Sequence, residues 1–410
     1  MSSPRLVIAG TQSGVGKTTV TLALLAALKA RGRRVQAFKV GPDFIDTGHH
    51  TAATGRLSRN LDGWMLDKSV NQAIFHRSAA DADISLIEGM MGLFDGCSPT
   101  AERGSTAELA KLLRAPVLLV IDGSAMARSA AAMVLGYVRF DPDLRVAGVL
   151  FNRISGDKHF SLLKQAVEAY TELPVVGYLR ADPEVRISDR HLGLVTAIEQ
   201  GGSGLYERLG RAVAATVDLD QIEALARQGG ELERPASSQG APTRSRGDAP
   251  VRVGVAYDPA FCFYYADNLE ALEAAGATLI RFSPLRDAVL PEVDLLYLGG
   301  GYPELHGAML AGNTAMRAAV RAFAERGGAI YAECGGMMYL TEAIRDFDGH
   351  VHEMVGLFPA EAVMRKPGLT LGYRELTIAR PCILGDAGVT ARGHEFHYSS
   401  LVPRGELDRA

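Results

Sequence analysis

Leu6-Val-Ile-Ala-Gly-Thr-Gln-Ser-Gly-Val-Gly-Lys-Thr-Thr19 decides the fold of the amino-terminal half of this chain. Four apolar residues read as a buried strand, the glycines as a tight loop, and the alanine- and leucine-rich run from Val20 to Arg31 as a helix. A strand that enters a helix through such a loop is the setting a phosphate site requires, because the free N–H groups of the first turn face an anion. Gly14, Gly16, Lys17, Thr18 and Thr19 are therefore the expected ATP phosphate contacts, and the Thr18 hydroxyl is an expected magnesium ligand. The spacing is unusual: Gly10 lies one residue further from Gly16 than in the common pattern, and Thr11 takes the place of the usual glycine.

Working outward, short apolar runs alternate with helical patterns at Val35 to Val40, Ile84 to Ile87, Val117 to Ile121, Val146 to Phe151 and Val175 to Leu179. Continuous apolar runs of this length are what buried parallel strands look like, so an α/β domain is expected over 1–226. In open α/β sheets ligands bind at the carboxyl ends of strands. Two acidic segments leave strands there, Gly41-Pro-Asp-Phe-Ile-Asp46 and Glu88-Gly-Met-Met-Gly-Leu-Phe-Asp95. Asp43, Asp46, Glu88 and Asp95 are thus expected in one cleft beside the triphosphate, as contacts of the substrate or magnesium. Asp46 and Glu88 join Thr18 as the candidate magnesium ligands, because that ion takes oxygen donors. Lys39 would offset the charge of an acidic substrate. His49 and His50 have no metal-ligand spacing and read as loop histidines.

From Arg227 to Pro250 the sequence is rich in Gly, Pro, Ser and charge and reads as a linker. The strand grammar restarts at Val251 to Ala256, Thr278 to Phe282, Leu295 to Leu298 and Ala329 to Ala332, so a second α/β domain is expected over 251–410. Its last strand stops at Glu333-Cys334-Gly335-Gly336, the pattern of a strand-to-helix elbow that presents a nucleophile above a sheet. Small residues are needed there because a Cβ would clash in the turn. Cys334 is the expected catalytic thiol. Cys97, Cys262 and Cys382 lack such a setting and read as structural; none of the four cysteines has the spacing of a disulfide framework or a zinc site.

With 43 basic and 47 acidic side chains the net charge is -4, which offers no electrostatic attraction to nucleic acid or to an anionic membrane. Small-molecule chemistry is favoured. No apolar stretch is long enough to span a bilayer and no signal-peptide core is present, so a cytoplasmic protein is expected.

Seven strings carry a resemblance: Gly-Pro-Asp-Phe-Ile-Asp, Ile-Glu-Gly-Met-Met-Gly-Leu-Phe-Asp-Gly, Phe151-Asn-Arg153, Arg190-His-Leu-Gly-Leu194, Leu298-Gly-Gly-Gly-Tyr-Pro-Glu304, Ala332-Glu-Cys-Gly-Gly-Met-Met-Tyr339 and Gly393-His-Glu-Phe-His-Tyr-Ser399. Taken in order over nearly the whole chain, they resemble the cobyrinate a,c-diamide synthase family. The first domain is similar to ATP-dependent amidoligases related to dethiobiotin synthetase, and the second to class I glutamine amidotransferases of the cobalamin-pathway type. Partitioning-type ATPases carry a signature lysine where this chain has Gln12.

The resemblance implies an enzyme that amidates the a and c acetates of a corrin macrocycle with ATP, Mg2+ and glutamine. It also implies that Asn152 touches the nucleotide base and that Gly299, Gly300 and Gly301 form an oxyanion loop. A homodimer is left open. Cobyric acid synthase and nickel-tetrapyrrole diamide synthase share both halves and remain alternatives, as does a phosphate-loop ATPase with a degenerate amidotransferase-like binding module. Family members continue beyond the Glu-Phe-His-Tyr-Ser motif to a histidine that partners the thiol, whereas the sequence ends at Ala410. The expectation is a truncated second domain with impaired use of glutamine, or a base supplied by His394 or His397.

Overall fold

A computed structural model describes residues 3–182, 189–190, 193–200, 204–232 and 250–406, with 189–190 and 193–194 given by backbone alone. Residues 191–192 of the Arg190–Leu194 motif, and 233–249 of the expected linker, lie outside the described residues. The chain forms two compact units, Met1–Ser238 and Gln239–Ala410.

The first unit is built on seven strands, β1 (Arg5–Gly10), β2 (Val35–Val40), β3 (Arg59–Leu61), β4 (Ile84–Glu88), β5 (Val117–Asp122), β6 (Val146–Ile154) and β7 (Val175–Arg180). They pair in parallel in the order β3-β2-β4-β1-β5-β6-β7. A parallel sheet needs helical crossovers on both faces, which is why its strands are apolar on both sides. Alternate residues of β1 show this: Leu6 and Ile8 pack in one fully buried cluster, Val7 and Ala9 in another. Helix Lys17–Ala30 covers the first face with Leu22, Leu24, Leu25 and Leu28, each with no exposed surface. Burying each of these is worth about 2 kcal/mol. The six expected strands are present; β3, an edge strand of three residues, was too short to stand out. A small hairpin follows, β8 (Asp189–Arg190) with β9 (Gly193–Leu194).

The expected linker begins later than its composition suggested. Arg5 is fully buried, and its guanidinium donates to the carbonyls of Leu113, Arg114 and Gly230. The N–H of Gly230 donates in turn to Arg114 O. A buried cation surrounded by carbonyls holds the segment firmly, since releasing it would strand the charge without partners.

In the second unit β10 (Arg252–Ala256), β11 (Thr278–Phe282), β12 (Leu295–Leu298) and β13 (Ala329–Ala332) form a parallel sheet in the order β11-β10-β12-β13. Beyond the helix Gly335–Leu340 the architecture departs from a single doubly wound sheet. A mixed sheet, β15-β14-β16-β19, is built from β14 (Thr341–Arg345), β15 (Val351–Glu353), β16 (Phe358–Met364) and β19 (Ser399–Pro403). An antiparallel ribbon pairs β17 (Thr370–Thr377) with β18 (Thr390–His397). No helix among the described residues is long and apolar enough to cross a membrane.

Candidate active site

The loop after β1 owes its shape to Gly14 and Gly16, which adopt φ of 79° and 90°. At Gly16 a Cβ would also lie 2.1 Å from Asn152 Nδ2, so only glycine fits. Four loop carbonyls accept from side chains, three of them outside the loop. Thr11 O accepts from the Tyr137 hydroxyl (2.6 Å), Gln12 O from Lys17 Nζ (3.2 Å), Gly14 O from Arg153 Nη2 (2.7 Å) and Val15 O from Asn152 Nδ2 (2.8 Å). In a trans peptide the following N–H points away from the carbonyl. Tying the oxygens of Thr11, Gly14 and Val15 outward therefore turns the N–H groups of Gln12, Val15 and Gly16 to the other side, and such a nest binds anions. Thr19 sits half-buried in the first turn of the helix.

Lys17 Nζ also donates to Met91 O (2.5 Å). Burial, then the neighbouring Lys39, push its ammonium down to about 8, against the pull of Glu88, Asp46 and Asp95. An ammonium so crowded gains strongly from an added phosphate.

Next to it lies a buried oxygen cluster. Thr18 Oγ1 donates to Glu88 Oε1 (2.7 Å) and lies 3.2 Å from Asp46 Oδ2. Lys39 Nζ donates to the same two oxygens, Asp46 Oδ2 (2.6 Å) and Glu88 Oε1 (2.9 Å). Burial opposes the charge on Lys39, but Asp46, Glu88 and Asp43 more than offset it and hold the lysine protonated. Asp46 is pushed well up, by burial and then by Asp43. For Glu88 burial also acts upward, yet Lys39, His50 and Thr18 outweigh it and hold the carboxylate well below its usual range. A hydroxyl and two carboxyl groups converging in one place are a donor set suited to a hard divalent cation.

The structure brings Thr18, Lys39, Asp46 and Glu88 together but uses the other two acids differently. Asp43 Oδ1 accepts from the N–H groups of Ile45 (2.9 Å) and Asp46 (2.7 Å), capping the helix Ile45–Thr54. Asp95 is exposed and its Oδ2 accepts from Gly92 N (2.8 Å), closing the turn after β4. Asp43 acts on the cluster through its charge, and Asp95 on the neighbouring Lys17. The Asn152 amide is spent on the loop, with Nδ2 on Val15 O and Oδ1 accepting from Arg153 N (2.9 Å).

His49 and His50 are not loop histidines. Both lie fully buried on the helix Ile45–Thr54. His49 bonds to the Tyr206 hydroxyl and Val195 O, and burial lowers its pKa. His50 Nε2 lies 2.7 Å from Glu88 Oε2, while Nδ1 lies 3.2 Å from Ser58 Oγ. Against an ionised carboxylate Nε2 must be the donor. His50 thus fixes one oxygen of Glu88 and leaves the other to Thr18 and Lys39. Its position one helical turn beyond Asp46 was the only signal the sequence held.

In the second unit Cys334 joins β13 to the helix Gly335–Leu340 with φ 45° and ψ -111°, outside the ordinary regions for a side-chain-bearing residue. Close packing enforces the elbow. A Cβ on Gly336 would lie 2.1 Å from Leu298 O, and one on Gly335 2.8 Å from Pro303 Cδ and 3.1 Å from Gly301 N. The Cys334 side chain is open to solvent. The protein packed around the elbow nevertheless pushes the thiol up to about 11, with Glu304 and Glu333 acting in the same sense and the N–H groups of Gly335 and Gly301 opposing.

The three glycines after β12 divide their roles. Gly301 N–H is directed at the thiol, and Gly300 stands beside it, a Cβ there being 3.4 Å from Cys334 Cβ. Gly299 N–H is already taken by the Tyr264 hydroxyl (2.8 Å). The candidate bases are engaged elsewhere. His397 bonds through Nδ1 to Ser399 O (2.8 Å) and through Nε2 to Glu395 Oε1 (2.8 Å), and His394 packs on the rings of Tyr373 and Phe396.

A phosphate cradle with an acidic cluster in one unit and a cysteine elbow in the other match two family models. Residues 6–195 match the CobQ/CobB/MinD/ParA nucleotide binding domain, and residues 252–409 the CobB/CobQ-like glutamine amidotransferase domain. Cobyrinate a,c-diamide synthase of Salmonella typhimurium (strain LT2) is 46% identical over 97% of this chain and 86% of its own length. The proteins of the same name from Syntrophotalea carbinolica and Priestia megaterium are 49% and 45% identical, over 98% and 100% of this chain and 87% and 88% of their own. The chain belongs to the cobyrinate a,c-diamide synthase family. For a member of this family a nucleotide-binding first unit and an amidotransferase second unit follow, each with the site described above at the carboxyl end of its parallel sheet.

Proposed function

We propose that this chain is a carbon–nitrogen ligase that converts the a and c acetate carboxylates of cobyrinate, or of its metal-free hydrogeno form, into carboxamides with ATP and glutamine. The observation that carries the reading is the buried Thr18–Lys39–Asp46–Glu88 cluster against the phosphate cradle. It is supported by near-full-length similarity to proteins of that name.

A carboxylate resists ammonia because its carbonyl is electron-rich and oxide leaves poorly, so it must be activated. In the proposed reaction an acetate oxygen attacks the γ-phosphorus of ATP, the bond to ADP breaks, and an acyl phosphate forms. Ammonia adds to the acyl carbon, loses a proton and expels phosphate. The protein supplies position and charge balance, which is most of what phosphoryl transfer demands. The inward N–H groups of the loop and Lys17 would hold the phosphates, Gly14, Gly16 and Thr19 shape the turn, and Asn152, besides bracing the loop through Val15 O, would border the base. Thr18, Asp46 and Glu88 would hold Mg2+, which when bound neutralises charge on the β- and γ-oxygens. Lys39, held between the two carboxyl groups, would offset the charge of the incoming acetate, and Asp43 and Asp95 tune the field of the cleft.

Ammonia is mostly protonated at neutral pH, and release from glutamine supplies it in reactive form. The Cys334 sulfur attacks the glutamine carboxamide carbon, the thiol proton passes to the nitrogen, which leaves as ammonia, and water hydrolyses the γ-glutamyl thioester. Gly301, with Gly300 beside it and the elbow N–H of Gly335, would stabilise the oxyanion, while Gly299 braces the loop through Tyr264.

The test is product mass after incubation of cobyrinate with ATP, Mg2+ and either glutamine or ammonium. Two carboxamides from either nitrogen source, with Cys334→Ala losing only the glutamine-dependent reaction, is the expected result. No ATP-dependent amidation from either source would overturn the reading. Amidation of only the other macrocycles would move it to cobyric acid synthase or a nickel-tetrapyrrole diamidase.

A further inference from the structure

The phosphate loop and the acid-bearing loop Glu88–Asp95 are joined at several points. Leu93 N donates to Gly10 O (2.9 Å), Lys17 Nζ to Met91 O (2.5 Å), and the backbone at Gly92 passes so close that a Cβ there would lie 3.1 Å from Thr11 O. A third element grips both. Tyr137, on the helix Ser129–Phe140, donates its hydroxyl proton to Thr11 O at 2.6 Å. Its ring stacks on Phe94 of the acid-bearing loop, centroids 5.6 Å apart and planes inclined by 24°.

Thr11, which stands where the usual loop has glycine, is held at both ends of its backbone, its N–H donating to Val120 O (3.3 Å) and its carbonyl accepting from Tyr137. Burial and the charge of Asp95 raise the pKa of the phenol, which keeps it a donor.

We propose that Tyr137 is a positioning residue that locks the two loops together, so that binding of ATP and binding of the acidic substrate favour one another. The hydroxyl sets the Thr11 peptide and hence the next N–H of the cradle; the ring sets Phe94, one residue before Asp95. A ligand ordering either loop thereby pre-orders the other, and the coupling is reciprocal. The nucleotide half rests on the cradle geometry alone, and the acid half rests on the amidation reading above.

The experiment is calorimetric titration of the full chain with a non-hydrolysable ATP analogue and Mg2+, with and without cobyrinate. Tyr137→Phe keeps the stack and removes the hydroxyl. It is expected to weaken the analogue about three- to tenfold, the worth of one neutral hydrogen bond, while the melting temperature stays near the parent's. Phe94→Leu keeps the hydroxyl bond and is expected to leave affinity for the analogue alone unchanged. Both variants should lose the tightening that cobyrinate brings to the parent, and the double variant should lose no more coupling than either single one. In steady state, Tyr137→Phe raises KM for ATP more than it lowers kcat. Unchanged analogue affinity in Tyr137→Phe, or coupling losses that simply add, would overturn the proposal. If cobyrinate fails to bind even the parent, the substrate reading falls, while the analogue affinity of Tyr137→Phe still decides the lock on the phosphate loop.

Discussion

Replacing Lys39 with methionine removes the ammonium that sits 2.6 Å from Asp46 and 2.9 Å from Glu88, in a cluster where all three side chains are buried. Removing one partner of a buried ion pair costs about 3–5 kcal/mol, because the remaining charge keeps its desolvation penalty. The variant can instead shed the charge by protonating Asp46, whose carboxyl burial and then Asp43 already push up. The sign of the pH dependence follows. A carboxyl raised in the folded state destabilises only above its unfolded pKa, and the penalty grows with pH until the folded pKa is reached. The loss should therefore shrink as the pH falls from 7 toward the ordinary carboxylate range. The only tryptophan of the chain, Trp64, belongs to the first unit, so urea unfolding followed by its fluorescence reads this unit. In chelator at pH 7 the melting temperature should fall by about 8–16 °C, and Mg2+ should stabilise Lys39→Met more than the parent. A variant within about 1 kcal/mol of the parent at pH 7, or a penalty independent of pH, would refute the account of the cluster.

Other residues make sharp tests of their own. Cys334 is accessible but pushed up to about 11, so its alkylation by iodoacetamide at pH 7.5, mapped by mass spectrometry, should be slower than that of exposed Cys382 and rise about tenfold per pH unit toward pH 10. Fast, pH-independent alkylation would mean that a base already holds the thiolate. Gly336→Ala puts a Cβ 2.1 Å from a backbone oxygen and should cost about 3 kcal/mol or more together with glutaminase activity, whereas Gly312→Ala, with open space at its Cβ, should be near neutral in the same thermal assay. His50→Leu should weaken Mn2+ binding to the nucleotide complex about 10- to 100-fold by spin-resonance titration, and His50→Gln, which restores a donor, should recover part of it; equal affinity in all three proteins would remove His50 from the support of Glu88.

Much of the fold was legible because it rests on local rules. Apolar runs of five or six residues marked the buried strands, and the glycine-rich loop between β1 and its helix needed no distant information. The half of the second unit beyond Leu340 was not legible. Its ribbon β17–β18 alternates weakly and leaves Leu371 and Leu376 exposed, so no apolar face announces it. In the site, the segments leaving the strands pointed to all four acids and Asp46 and Glu88 were the expected magnesium ligands, but nothing local showed that Asp43 and Asp95 use their carboxylates on neighbouring N–H groups.

What the sequence by itself determined is the chemistry on offer: a phosphate loop ending at Lys17 and Thr18, carboxylates at two strand ends, and a thiol on a glycine-flanked turn at Cys334. Each is set by residues adjacent in the chain, whose backbone geometry depends on their immediate neighbours. Only the tertiary structure decided how those parts are held. Tyr137 reaches Thr11 across 126 positions, Asn152 reaches Val15 across 137, and His50 reaches Glu88 across 38. A hydrogen bond depends on distance and direction in space, and the parallel order β2-β4-β1-β5-β6 is what brings these separated strand ends to one edge of the sheet. The same reason explains why the elbow could be read from its glycines while the groups that raise its thiol, Glu304 among them, could not.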